Sequence, residues 1–251
     1  MNQKTTVFQS HSYLFFAMLM LLVCSAGCAT IGKNRNVSIE KSIGWDDLPA
    51  IQARIVPPAF PDRDFNIVRY GAVADNTTDI KAALDEAIAA CHASGGGRVL
   101  VPAGDWFIKG PIHLKSHVNL HLAEGATINY STDPADYEPL VFTRFEGTEI
   151  MNYSPLIYAF EQENLGITGK GTFHGRASRD NWWTWSQGAR QHINRARQYG
   201  EEGVPVRERI FGNGTGLRPV FVQPYRCGDF DKVQAVVDFG EYFQNAQTTA
   251  Q

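Results

Sequence analysis

The chain is poor in cysteine, in net charge and in long apolar runs, and each shortage excludes something. Four cysteines in 251 residues rule out a disulfide-dense small scaffold. None of them has zinc-site spacing. The net charge is -3, acidic and basic residues are interspersed, and no long basic run occurs. That leaves out the electrostatic footprint of a nucleic-acid binder. The unbroken apolar run from Tyr13 to Val23 is too short to span a bilayer comfortably. There is no phosphate-binding glycine loop, triad spacing, metal-ligand cluster or acidic calcium cluster. No cofactor and no metal are therefore expected.

What is present reads as globular. Hydrophobic residues make up 43% and charged residues 20%, enough for a sizeable core. Twenty-three glycines and 12% aromatics suit a turn-rich β protein.

The first 27 residues read as a targeting segment. Lys4 precedes the apolar run, and Ser25-Ala26-Gly27-Cys28 follows it. This looks like a bacterial lipoprotein signal with Cys28 as the lipidated residue. An ordinary secretory signal cut near Gly27 is the alternative. Either reading exports the chain to the bacterial cell envelope, in the first case held on a membrane by acyl chains. Residues 28–62, with Pro57-Pro58 and Pro61, read as a flexible, partly extended tether. Cys91 and Cys227 read as small buried hydrophobes rather than a disulfide.

Phe65 to Tyr70 predicts a short strand closed by Gly71. Asp79 stands at a helix N-cap position. Ile80, Ala83, Leu84, Ala87, Ile88 and Cys91 recur at helical spacing behind it, and Gly95-Gly96-Gly97 ends the helix. From Arg98 the pattern becomes short strands between turns: Val99 to Val101, Trp106 to Ile108, Ile112 to Leu114, Val118 to Leu122, Thr127 to Tyr130, Leu156 to Phe160, and Leu165 with Ile167. Strands this short suit a coil in which each turn stacks on the previous one, with Val99, Leu120 and Ile167 in one interior column. An irregular sandwich gives similar spacing. Residues 176–216 break the rhythm and read as a helix-compatible insertion headed by Trp182-Trp183-Thr184-Trp185.

Four motifs occur in order. They are Asp64-Phe65-Asn66-Ile67-Val68-Arg69-Tyr70-Gly71-Ala72, Gly95-Gly96-Gly97-Arg98-Val99-Leu100-Val101-Pro102-Ala103-Gly104, Gly166-Ile167-Thr168-Gly169-Lys170-Gly171-Thr172-Phe173 and Leu217-Arg218-Pro219-Val220-Phe221. Together they resemble the front half of the polygalacturonase family, glycoside hydrolase family 28. The resemblance covers about Asp64 to Cys227. It implies an all-β fold, a right-handed parallel β-helix with an N-terminal capping α-helix formed by Asp79 to Ser94. It also implies a pectic polysaccharide or oligogalacturonide as partner. The family inverts at the anomeric carbon with two separated carboxylates. Its Asn-Thr-Asp, Asp-Asp, Gly-His-Gly and Arg-Ile-Lys segments follow the Leu-Arg-Pro motif. None occurs after Leu217 here. Residues 228–251 are unfamiliar, with Val233, Val236, Val237 and Phe243 in loosely helical spacing. The expectation is a coil truncated at its C-terminal end, by a displaced reading frame or as a shortened form, and catalytically incomplete.

No catalytic residue is carried over. Asn76-Thr77-Thr78-Asp79 reads as a turn and cap, and Asp46-Asp47 as solvated charge. Trp182, Trp183, Trp185 and Arg218 are candidates for sugar contact, with anchoring of the insertion as the competing role. Arg207 and Arg209 could attract an anionic polymer or pair with Glu208. His113, His121 and His174 read as surface residues without function. A non-catalytic glycan-binding surface lipoprotein and, further off, a lyase-type β-helix protein are the alternative classes.

Overall fold

The computed structural model describes residues 44–54, 57–233 and 236–238. The apolar run, Cys28 and residues 239–251, Phe243 among them, lie outside these. Residues 1–55 and 56–251 form two separate units. In the first, a 3-10 turn at Trp45–Asp47 leads into α1 (Leu48–Gln52). The Gly44 amide donates to Asp47 Oδ2 at 3.0 Å. Asp46 is exposed, as expected for a solvated pair.

The second unit starts with β1 (Asp64–Asn66). The strand stops earlier than the alternation suggests. The Asn66 side chain accepts the Val68 amide at 3.0 Å and opens a 3-10 helix at Ile67–Tyr70. Gly71, at φ 95°, closes it. Then comes α2 (Lys81–Ala93), whose Ala83, Leu84, Ala87, Ile88 and Cys91 are buried. Its N-cap is Ile80 rather than Asp79. Asp79 still serves the helix start: its Oδ1 accepts the amides of Lys81 at 3.0 Å and Lys109 at 2.9 Å. A carboxylate one residue ahead of the cap thus ties the helix to the turn after the next strands.

The strands that follow are β2 (Gly97–Val101), β3 (Gly104–Ile108), β4 (Ile112–His113), β5 (Val118–Leu122), β6 (Ala126–Tyr130), β7 (Val141–Phe145), β8 (Thr148–Asn152), β9 (Ile157–Phe160), β10 (Glu163–Gly169) and β11 (Thr172–His174). Two helices interrupt, α3 (Trp182–Trp185) and α4 (Ala189–Glu201). β12 (Val222–Tyr225), β13 (Gly228–Val233) and β14 (Val236–Asp238) complete the set.

Three sheets are parallel, ordered β1-β2-β5-β10-β13, β3-β6-β11-β14 and β4-β9-β12. Neighbours in each sheet come from successive turns of the chain. This is the arrangement of a parallel β-helix, in which each strand pairs with its counterpart one turn away. Val99 pairs with Leu120 and Leu120 with Ile167, and all three are fully buried. They form the expected interior column. A second column stacks Trp106, Ile128 and Phe173, and a third stacks Ile112, Ile157 and Val222. Period-two alternation alone produces this, because every second side chain faces inward.

Several expectations need correction. Val233, Val236 and Val237 lie in β13 and β14, not in a helix, because their backbones pair with β10 and β11. The end of the segment read as a tether contacts the coil. The Ala59 carbonyl accepts from Asn164 Nδ2 at 3.0 Å, and the Arg63 Nε donates to the Gly96 carbonyl at 2.9 Å.

The antiparallel hairpin β7–β8 was not anticipated. Its two-residue turn, Glu146 at φ 43° and Gly147 at φ 93°, has the two positive φ values that match strand twist. It lies outside the β4-β9-β12 sheet. The Tyr158 hydroxyl donates to the Phe142 carbonyl, and Phe142 packs edge-on to Phe160 at 5.4 Å. Ile150 of β8 joins Ala196, Phe211 and Leu217 in a small satellite core. This holds α4 against the hairpin.

Candidate functional site

The four sequence candidates fall near one another, but they do not share a role. Asn181 caps α3: its Oδ1 accepts the amides of Trp182 at 2.5 Å and Ser178 at 2.9 Å. The turn so formed sends Trp182 and Trp185, three residues apart, to one face, and Trp183 to the other. Trp182 is only 7% exposed. Its Nε1 donates to the Gly175 carbonyl at 2.6 Å, and its ring meets Tyr137 at 5.4 Å and Trp185 at 4.5 Å. Trp185 reaches Tyr153 at 6.0 Å. Trp182 is thus an anchor of the insertion and is closed to a sugar ring. Trp185, half-buried, belongs to the same packing.

Trp183 is 46% exposed. The guanidinium of Arg218 lies over its ring at 5.7 Å, and Arg218 Nη1 donates to the Trp182 carbonyl at 3.3 Å. The structure therefore brings Trp183 and Arg218 together, 35 positions apart in sequence and joined across the insertion. An exposed indole offers an apolar face. A guanidinium beside it offers planar donors suited to a carboxylate.

Arg207, Arg209 and Arg226 are engaged elsewhere. Arg209 donates to the Val204 carbonyl at 2.7 Å and the Glu149 carbonyl at 3.1 Å. Arg207 sits 3.5 Å from Glu208, an exposed pair of little energetic weight. Arg226 lies over Phe142 at 5.1 Å and approaches Glu149 at 3.2 Å. That clasp, completed by the Tyr225 hydroxyl on Glu149, escaped sequence reasoning. The alternation through 141–152 around Glu146-Gly147 was the available signal.

The histidines are not idle. His113 Nε2 lies 2.8 Å from Ser154 Oγ, and its ring meets Tyr158 edge-on at 5.3 Å. His121 Nδ1 lies 2.8 Å from Thr168 Oγ1. His174 Nδ1 lies 2.9 Å from Asn129 Oδ1, one coil away. Ser154 is buried, so the His113 contact fastens chain to chain and does not present a nucleophile to solvent.

Among the described residues three carboxyls are shifted, all downward. Arg98 holds Asp64 low, through bonds of 2.6 and 2.8 Å. Asp75 is held well below the usual carboxylate range, first by the Thr78 hydroxyl and then by the Thr78 and Thr77 amides. That is the turn expected at Asn76-Thr77-Thr78-Asp79. Glu149 is lowered chiefly by the Tyr225 hydroxyl. A proton donor to a glycosidic oxygen requires the opposite shift. Among the described residues no three His, Cys, Asp or Glu side chains are grouped as a metal site.

Comparison with known proteins follows the same line. Residues 65–135 match the family described as "Rhamnogalacturonase A/epimerase, pectate lyase-like". A solved exopolygalacturonase from Thermotoga maritima is 40% identical, with a TM-score of 0.69 over 72% of this chain and 43% of that one. The exo-poly-alpha-D-galacturonosidase of Dickeya chrysanthemi is 34% identical over 143 residues, 53% of this chain and 22% of that protein. The plasmin and fibronectin-binding protein A of Streptococcus pneumoniae is 38% identical over 93 residues, 37% of this chain and 13% of that protein. The chain spans less than half the length of each of these relatives. It is related to polygalacturonase-like proteins with the pectin-lyase type of β-helix.

Proposed function

We propose that this chain, a relative of polygalacturonase-like β-helix proteins, engages pectic polysaccharide of the galacturonan type, and that the polypeptide by itself binds without cleaving. The observation that carries the glycan assignment is the 40% identity to an exopolygalacturonase over 72% of the chain. Trp183 and Arg218 are the proposed contacts. The indole supplies a stacking face and the guanidinium a partner for a uronate carboxylate.

The non-catalytic part of the reading rests on two supports. Asn-Thr-Asp, Asp-Asp, Gly-His-Gly and Arg-Ile-Lys segments do not follow Leu217 in these residues. The shifted carboxyls are lowered by partners that hold the fold together. A relative of part of this chain is named for binding plasmin and fibronectin, which supports a binding role over lyase chemistry.

The finer architecture belongs to the same proposal. The coil is right-handed, α2 caps its first turn, and the described strands are the front portion of a longer solenoid in its relatives. Export with a lipid on Cys28 is proposed from Ser25-Ala26-Gly27-Cys28 alone.

Purified full chain, assayed for retention in polygalacturonate gels and for reducing ends, tests the reading. Retention without release is the expected result. Release at an ordinary enzymatic rate overturns the non-catalytic half. No retention by polygalacturonate overturns the glycan half.

A further inference from the structure

The segment before β1 crosses the coil instead of leading straight into it. The Ala59 carbonyl accepts Asn164 Nδ2 at 3.0 Å on the third turn. Phe60 covers Gly166 so closely that a Cβ there would stand 3.0 Å from the ring atoms Cε2 and Cζ. Three residues later, Arg63 is on the first turn. Its Nε donates to the Gly96 carbonyl at 2.9 Å, and its own carbonyl accepts the Arg98 amide at 2.9 Å.

The dimensions agree. β1 and β10 lie three strand spacings apart, about 14 Å, and the four residue steps from Ala59 to Arg63 reach about 14 Å when extended. Gly166 is half of the fit. Its φ is not in the left-handed region, so the backbone would accept a side chain. The crowding comes from the Phe60 ring and from Asn119 Oδ1, each 3.0 Å from a Cβ there, and not from conformation.

The consequence concerns the weakest place in a solenoid. A terminal strand has one neighbour and opens first. β1 is three residues long and pairs only with β2 among the described strands. Peeling β1 away requires its leading chain to lift off, and that chain is fastened at β10, three strands further on.

We infer that residues 59–63 act as a strap that locks the first three turns into one opening unit, so that tension or proteolysis arriving from the amino-terminal side meets β10 before β1. The strap is built from an apolar plug in a glycine-floored seat and two backbone carbonyl latches at its ends. It needs no ligand or partner.

Hydrogen exchange on the full chain tests this. Phe60→Ala and Gly166→Val should each speed exchange at the Arg98 amide by at least about tenfold, with amides of β12 unchanged. Phe60→Leu should retain protection. In the Phe60→Ala background, Gly166→Val should add less than it does alone, because the two share the Phe60 contact and only the crowding of Asn119 Oδ1 is left. Unchanged exchange at Arg98, equal acceleration across β12, or full additivity of the two substitutions would each overturn the strap.

Discussion

Asn152 and Leu217, 65 residues apart, are joined by a buried hydrogen bond of 2.9 Å from Asn152 Nδ2 to the Leu217 carbonyl. It ties the end of the β7–β8 hairpin to the return of the insertion. Asn152 Oδ1 has no partner among the described residues. Asn152→Leu should cost about 1–3 kcal/mol, because the carbonyl loses its donor. Asn152→Asp should cost more, about 3–5 kcal/mol, because a charge would be buried unpaired. Urea unfolding of the two variants gives the order.

Two neighbouring tryptophans should separate stability from binding. Trp182→Ala removes a buried anchor and should destabilise by about 3–5 kcal/mol. Trp183→Ala should change stability by less than about 1 kcal/mol yet weaken retention by polygalacturonate. Thermal melts and affinity electrophoresis on both variants make the comparison. Equal effects on both readouts would remove Trp183 from the proposed contact.

Gly169 admits no side chain. Its φ is 107°, and a Cβ would fall 1.9 Å from the Leu122 carbonyl oxygen. Gly169→Ala therefore opposes both the left-handed backbone and the contact between turns. A loss above about 4 kcal/mol is expected, read as loss of soluble, cooperatively melting protein.

Two histidines should make the fold acid-sensitive. Burial lowers the pKa of His113, Lys81 lowers it further and Asp85 opposes. Burial likewise lowers His121, with Arg98 adding and Asp64 opposing. A folded value below the unfolded one means the unfolded chain binds more protons. Stability is then full above about pH 6.5 and falls as pH drops through the unfolded value toward the folded one. The melting temperature should decline as pH falls below about 6.5. The decline should be shallower in the His113→Gln, His121→Gln double variant.

The two described cysteines should differ in reactivity. Cys91 is fully buried on α2, and burial raises its thiol to about 11. Cys227 is half-buried and free. Alkylation at pH 8 should modify Cys227 in the native state and Cys91 only after unfolding, as peptide mass mapping would show.

Much of the coil was legible because its rule is local. Val99, Leu120 and Ile167 face inward by alternation, and any chain stacking such strands must align them. The helix behind Asp79 was legible for the same reason. Where local bonds competed, the pattern misled. Asn66 ended a strand that the alternation carried to Tyr70, and backbone pairing with β10 and β11 overrode the helical spacing of Val233, Val236 and Val237.

The sequence by itself determined a coiled parallel β architecture, an interior of stacked aliphatic and aromatic side chains, and a kinship with galacturonan-related proteins. Only the tertiary structure decided which of three clustered tryptophans stays in solvent, which arginine stands beside it, and that the chain before β1 doubles across three turns. Those outcomes depend on contacts between residues some 35 to 105 positions apart. Pairings of that reach are set by how the turns stack, and no local period records them.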